Sequence, residues 1–191
     1  MRVIAGAHKG RRLVAPTWTG LRPTSDRLKE AVFAILDPVI AGARVLDGFA
    51  GSGALGIEAL SRGAASVVFV ENDGRAAGLI VRNLAHCRIA DGYAMIRAEF
   101  TRAMRQLAAD RRFDVALLDP PYDFADLDAV VEAAAGRMAP GGVLVLEHAS
   151  RRQAPAAAGS FAAVRHVRAG DAAVTFYREA AGRAPAAREV G

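Results

Sequence analysis

Between residues 43 and 146 the chain alternates short, uninterrupted apolar runs with longer stretches in which apolar positions recur every three or four residues. The runs at 43–46, 66–70, 94–96, 115–118 and 143–146 are bounded by turn formers or charges. A run too short for a helix yet apolar throughout reads as a strand buried on both faces. The intervening stretches at 54–62, 75–86, 101–109 and 126–138 read as helices. This alternation predicts an α/β fold with a mostly parallel sheet and helices on both faces. Upstream, Thr24 or Ser25 can cap a helix on which Leu28, Val32, Ile35 and Leu36 share a face, and Asp37-Pro38 is expected to end it.

Both ends of the chain break the pattern. Alternating segments at 2–5 and 11–15, joined through 6–10, predict a small N-terminal β-hairpin, and a Pro/Gly/Thr-rich connector follows over 16–23. This unit reads as an appendage to the core. Segments 163–167 and 172–177 flank the turn signal Arg168-Ala-Gly-Asp171, so the sheet is expected to finish in an antiparallel hairpin. From Ala180 the composition collapses to Ala, Gly, Arg, Pro and Glu, too little apolar surface to offset ordering entropy. The expected organisation is a hairpin and connector at 1–23, one domain at 24–179 and a disordered tail at 180–191.

Charge adds one feature. The net charge of +5 is concentrated in residues 1–30, where Arg2, Lys9, Arg11, Arg12, Arg22, Arg27 and Lys29 face only Asp26 and Glu30. A basic segment on a neutral body suits either a polyanion-binding arm or a merely solvated terminus, and Lys9, Arg11, Arg12, Arg22 and Arg27 are the candidate contacts. The chain has no apolar run long enough for a membrane span, no secretory signal pattern and one cysteine, Cys87, which excludes an intrachain disulfide. A cytoplasmic protein without membrane contact, acting as a monomer, is expected. His8, His86, His148 and His166 share no metal-ligand spacing, and no metal site is expected.

Candidate chemistry begins where the first strand meets its helix. Asp47-Gly-Phe-Ala-Gly-Ser-Gly-Ala-Leu-Gly56 is a glycine-rich turn of the kind that lets backbone approach a ligand, with Glu71 ending the next strand 20 residues beyond Gly51. Gly51, Gly53 and Gly56 also satisfy the dinucleotide fingerprint, and Glu71 would take ribose hydroxyls in either case. Asp47 separates the two readings. A carboxylate there repels a pyrophosphate but attracts the ammonium and sulfonium of S-adenosylmethionine. Asp47, Phe49, Ala50, Gly51, Gly53, Glu71 and Asn72 are the candidate cofactor contacts; the bland alternative is that Asp47 caps the loop and the glycines only make a turn.

A second constellation, Asp119-Pro-Pro-Tyr122, follows the strand at 115–118, at the carboxyl end of the sheet where open α/β folds bind ligands. Two prolines stiffen the loop, so the Asp119 carboxylate and the Pro120 carbonyl can act as paired acceptors for the two hydrogens of an exocyclic amine. That amine is a weak nucleophile because its lone pair is delocalised into the ring, and two acceptors favour the pyramidal form that frees it. Positioning and desolvation then carry most of the rate, with Asp119 able to take the proton and Tyr122 offering a stacking face to a flipped base. Asp119, Pro120 and Tyr122 are the candidate catalytic residues.

Taken together these residues resemble the RsmD family of bacterial 16S ribosomal RNA guanine-N2-methyltransferases. The likeness runs through Arg2-Val-Ile-Ala-Gly6, Lys9-Gly-Arg-Arg-Leu13, Leu21-Arg-Pro-Thr-Ser-Asp-Arg27 with Glu30 and Phe33, residues 46–64, Glu71, Asn83 and Asp119-Pro-Pro-Tyr122. It implies a class I S-adenosylmethionine-dependent methyltransferase fold, Rossmann-like, whose seven-stranded sheet ends in an antiparallel hairpin. It further implies guanine 966 of 16S rRNA, in the small subunit or its assembly intermediate, as substrate, with the N-terminal hairpin gripping RNA. Gly48 inside the cofactor loop and the Ala/Arg/Pro-rich tail depart from the family pattern. Other readings stay open: an adenine-N6 enzyme on DNA or RNA, a glutamine methyltransferase, an NAD-dependent oxidoreductase and a noncatalytic RNA-binding protein.

Overall fold

The computed structural model describes residues 1–18 and 26–180. Along them the elements are α1 (Asp26–Ile40), β1 (Arg44–Gly48), α2 (Ala54–Ser61), β2 (Ser66–Val70), α3 (Gly74–His86), β3 (Tyr93–Ile96), α4 (Phe100–Gln106), β4 (Phe113–Leu118), α5 (Leu127–Ala135), β5 (Met138–Ala149), β6 (Ala157–Ala158), β7 (Phe161–Ala169) and β8 (Ala172–Glu179). The strands form one sheet in the order β3-β2-β1-β4-β5-β8-β7-β6. β1 to β5 are mutually parallel, β8 and β7 add antiparallel, and β6 contributes two residues at the outer edge of the seven larger strands.

The period-2 side-chain alternation of the strands sorts the core into two layers. Val45, Phe69, Leu117 and Val145 pack with α1, α2 and α3 on one face, whereas Leu46, Val70, Leu118 and Leu146 pack with α4 and α5 on the other. After β1 the chain moves outward to β2 and β3, then returns across to β4 on the other side of β1. The carboxyl ends of β1 and β4 therefore form a topological switch point, where connections diverge and a crevice opens.

Several expectations needed correction. α1 continues through Asp37-Pro38 to Ile40. Pro38 falls in the last turn, where it forfeits a single backbone bond, and Ile40 is 2% exposed, so its burial offsets the loss. α4 stops at Gln106, three residues early, and α5 starts one residue later than expected because Asp126 stands outside it as its cap, accepting from Ala129 N at 2.9 Å. β5 is much longer than 143–146, because both its edges are paired, to β4 and to β8.

A further correction concerns the N-terminus, which is built into the core. A single antiparallel bridge, Arg2 to Arg12, and the bonds Val3 N to Arg11 O (2.9 Å) and Gly10 N to Val3 O (2.9 Å) fold it back on itself. Val3 and Leu13, its inward residues, are 1% and 6% exposed and join the layer around α1 and α2. Glu58 of α2 accepts from the amides of Ile4 (2.8 Å) and Ala5 (3.0 Å) and pairs with buried Lys29 at 3.4 Å. The expected tail lies outside the described residues except for Ala180.

Candidate active site

Four acidic residues stand at or near the carboxyl ends of the parallel pairing of four adjacent strands, β2, β1, β4 and β5, on the face covered by α1 to α3. Register explains it: Asp47 pairs with Phe69 on one side and Leu117 on the other, and Leu117 pairs with Val145. Two residues further along, in the same phase, stand Glu71, Asp119 and Glu147. All four line one cleft of about 750 Å³ at the switch point. Phe49, Ala50, Gly51, Asn72, Pro120 and Tyr122 line it too. Gly53 does not; it caps α2 in a left-handed conformation (φ 77°), which a side chain would strain.

The glycine loop is internally satisfied. Glu71 accepts from Gly51 N and Asp73 N, both at 2.8 Å, and Asp47 accepts from Gly56 N at 2.8 Å. Ala50 N donates to Val70 O (3.0 Å) and Gly53 N to Ala50 O (2.7 Å). Four amides of the loop are thus committed to carboxylates and carbonyls, and a pyrophosphate would meet the Asp47 and Glu71 carboxylates beside them. Asp47 both caps the loop and faces the cleft. Phe49 adopts φ 61°, an uncommon conformation for a bulky residue, and its ring stacks on Phe100 at 5.1 Å and meets Phe124 edge-on at 5.2 Å. Gly48 is explained by the same packing, since a Cβ there would lie 2.5 Å from the Phe100 ring.

The Asp-Pro-Pro-Tyr loop is tied to the glycine loop and to the far side of the sheet. Asp119 N donates to Gly48 O at 3.3 Å, Phe124 N to Pro121 O at 2.8 Å, and Tyr122 Oη lies 3.4 Å from Glu147 Oε1. Arg152, after β5, donates to Phe124 O and, at 2.7 Å, to Ala125 O, pinning the loop's exit. The two loops therefore share one rigid aromatic and backbone framework.

The lining is strongly acidic. Arg75 is its sole basic side chain among the described residues, and it bonds Asp73 at 2.9 Å, which holds that carboxyl down at about 2. Burial pushes the Asp47 carboxyl well above the usual carboxylate range; the Gly56 amide opposes the shift, and the charges of Asp119 and Glu71 add to it. Such a cleft favours a small cationic ligand and disfavours an anionic one.

The candidate RNA contacts stand outside the cleft. Lys9, Arg12 and Arg27 are exposed; Arg11 is half-buried and donates to His86 O at 3.3 Å; Arg22 lies outside the described residues. The hairpin that carries three of them reaches the cofactor loop through buried Asn83, which accepts from Val14 N (2.7 Å) and donates to Val14 O (3.1 Å) and Ser52 O (2.9 Å). Sequence reasoning missed several lining residues, Trp18, Arg75 and Glu147 among them. Trp18 lies at the cleft with the Arg75 guanidinium 5.1 Å from its ring. Glu147 lies just past the strand expected at 143–146; an acid two residues beyond Val145, in phase with Asp119, was a usable signal. Among the described residues no group of three His, Cys, Asp or Glu could hold a metal ion, and no helix is long and apolar enough to cross a membrane.

The chain is 35% identical over 190 residues to ribosomal RNA small subunit methyltransferase D of Escherichia coli K12, covering 97% of this chain and 94% of that one. It is 43% identical over 125 residues to the protein of the same name from Haemophilus influenzae, covering 65% of each. The solved structure of yhhF from Escherichia coli superposes with a TM-score of 0.83 at 32% identity, over 95% of this chain and 99% of that one. The fold is thus that of the class I methyltransferases. With the model described as Conserved hypothetical protein 95 matching residues 1–178, the chain belongs to the RsmD family.

Proposed function

We propose that this protein transfers the methyl group of S-adenosylmethionine to the exocyclic N2 amine of a guanine in 16S ribosomal RNA, of the guanine 966 type, during small-subunit assembly. The observation that carries the reading is the single cleft in which an acidic, pyrophosphate-hostile cofactor loop faces the Asp-Pro-Pro-Tyr loop. Asp47 and the backbone at Phe49 to Gly51 would hold the methionine half, and Glu71 with Asn72 the ribose. When bound, S-adenosylmethionine supplies an electrophilic methyl on a sulfonium. Asp119 and the Pro120 carbonyl accept the two amine hydrogens, Tyr122 stacks on the base, and Asp119 takes the proton released by transfer. Phe49, Phe100 and Phe124 keep water from the floor of the site.

The decisive experiment is transfer of labelled methyl from S-adenosylmethionine to small subunits lacking their guanine methylation, with naked 16S rRNA in parallel and the product mapped. Label on one guanine amine, greater on subunits, is expected. Label on adenine or on DNA overturns the substrate, and absence of label alongside tight cofactor binding overturns the reaction on RNA.

Cofactor binding is expected to release a proton. Asp47 keeps its proton above the ordinary carboxylate range, and a bound cation favours its ionised form, so affinity rises with pH from about 4 until Asp47's raised pKa is passed. By the same linkage the ligand-free protein loses stability across that window as pH rises. Titration calorimetry in buffers of different ionisation enthalpy reads the proton directly; identical heats in every buffer would contradict the assignment.

The hairpin's role is tested on its exposed cations. Lys9→Ala with Arg12→Ala is expected to weaken RNA binding most at low salt, and to flatten the dependence of log affinity on log salt by about 2. Equal loss at every salt concentration would mean that the double variant damages the fold and that neither residue contacts phosphate.

A further inference from the structure

The reaction above leaves Glu147, a carboxylate lining the cleft, without a role. Glu147 ends the parallel part of β5, one residue beyond Leu146, whose partner Leu118 immediately precedes Asp119. Adjacent strands are about 4.8 Å apart, so Asp119 and Glu147 are neighbouring acids at the acceptor end of the cleft. Glu147 is only 8% exposed, yet it lines the cleft, and its Oε1 is 3.4 Å from Tyr122 Oη, the ring proposed to stack on the target base. It stands at the opposite end of the row from Glu71, away from the ribose position.

A guanine whose N2 amine is held by Asp119 and Pro120 presents its N1–H on the same edge. Adenine's N1 carries no hydrogen and is an acceptor, so a carboxylate facing that position attracts one base and repels the other. We infer that Glu147 is the residue that selects guanine, by accepting the N1–H of the base whose amine Asp119 holds. The inference rests on the guanine-N2 reading. It makes Glu147 a specificity determinant that needs neither to move a proton nor to touch the cofactor, with the Tyr122 hydroxyl 3.4 Å from it on the side of the stacking ring.

The probe is 2-aminopurine, which keeps the C2 amine but has no hydrogen on N1. Small subunits are reconstituted around 16S rRNA carrying either guanine or 2-aminopurine at the mapped position, and single-turnover transfer is measured for the wild type and for Glu147→Gln. In the wild type, 2-aminopurine is expected to react about 10- to 100-fold more slowly than guanine. In Glu147→Gln the guanine rate falls and the guanine-to-aminopurine ratio collapses toward one, with S-adenosylmethionine affinity unchanged. An unchanged ratio in the variant overturns the inference, whether the rates stay high or fall together, because a residue that only props Tyr122 affects both bases alike. Failure of the underlying reading looks different, since the wild type then labels no guanine amine at all.

Discussion

Replacing Asp119 by Ala is expected to slow methyl transfer by about 10²- to 10⁴-fold while S-adenosylmethionine affinity stays within a few-fold of wild type. The side chain is proposed to accept one hydrogen of the target amine, and with it goes both the pyramidal bias on the nitrogen and the local proton acceptor. The loop itself should survive. Its backbone is held by Asp119 N to Gly48 O, by Phe124 N to Pro121 O and by Arg152 at its exit, none of which uses the Asp119 carboxylate. Single-turnover rates on saturating substrate separate the chemical step from binding, and calorimetry reports the cofactor. A variant that transfers at the wild-type rate would remove Asp119 from the mechanism; one that loses both rate and cofactor affinity would place it at the methionine end of the cleft.

Glu58→Ala is expected to cost about 3–5 kcal/mol of stability, equivalent to a fall in Tm of about 6–20 °C for a chain of this size. Glu58 is fully buried and serves four donors: the amides of Ile4 and Ala5, Arg62 Nε at 2.9 Å and Lys29 Nζ. Lys29 is equally buried, and desolvation pulls its pKa down against the opposing pull of Glu58. Without the carboxylate an ammonium would remain in the core with Arg2 O and only Asp26 as a counter-charge, and two amides would lose their acceptor. Adding Lys29→Met to Glu58→Ala should recover part of the loss, because it removes the stranded charge. Hydrogen exchange over residues 1–14 should rise in the single variant, since the hairpin is fastened there. A single variant with unchanged Tm and unchanged protection would show that the buried pair does not anchor the N-terminus.

How much of the fold could be read in advance depended on where the energetics are local. β1, β2, β4 and β5 were visible as apolar runs because burial on both faces leaves no polar position to interrupt them, and helices α2 and α3 were visible as periodic stretches; β3, expected to be buried as well, is instead an exposed edge strand, paired only to β2. Element ends were less legible. Pro38 stays inside α1 because Ile40 has a hydrophobic site to fill, and β5 outgrows 143–146 because two neighbours pair with it; both reasons lie in distant parts of the chain. The N-terminal hairpin was recognisable as a turn between alternating segments, but its anchoring was not, because Glu58, Lys29 and Asn83 meet it from positions 27 to 69 residues away.

The same division runs through the site. The glycine turn, Asp47, Glu71 and the Asp-Pro-Pro-Tyr loop announce themselves in the sequence because each is a local backbone requirement written into consecutive or nearly consecutive residues. Their convergence was inferable only as far as strand order was assumed. Tertiary structure alone decided that four of the loop amides are taken by Glu71, Asp47, Ala50 and Val70, and that Phe49 is locked between Phe100 and Phe124. It also decided that Glu147 stands beside Asp119. Sequence carries the propensities of each segment and the chemical type of each side chain; register and strand order, set by how the two hydrophobic layers close over the sheet, determine which carboxylates become neighbours and therefore what charge the cleft presents to a ligand.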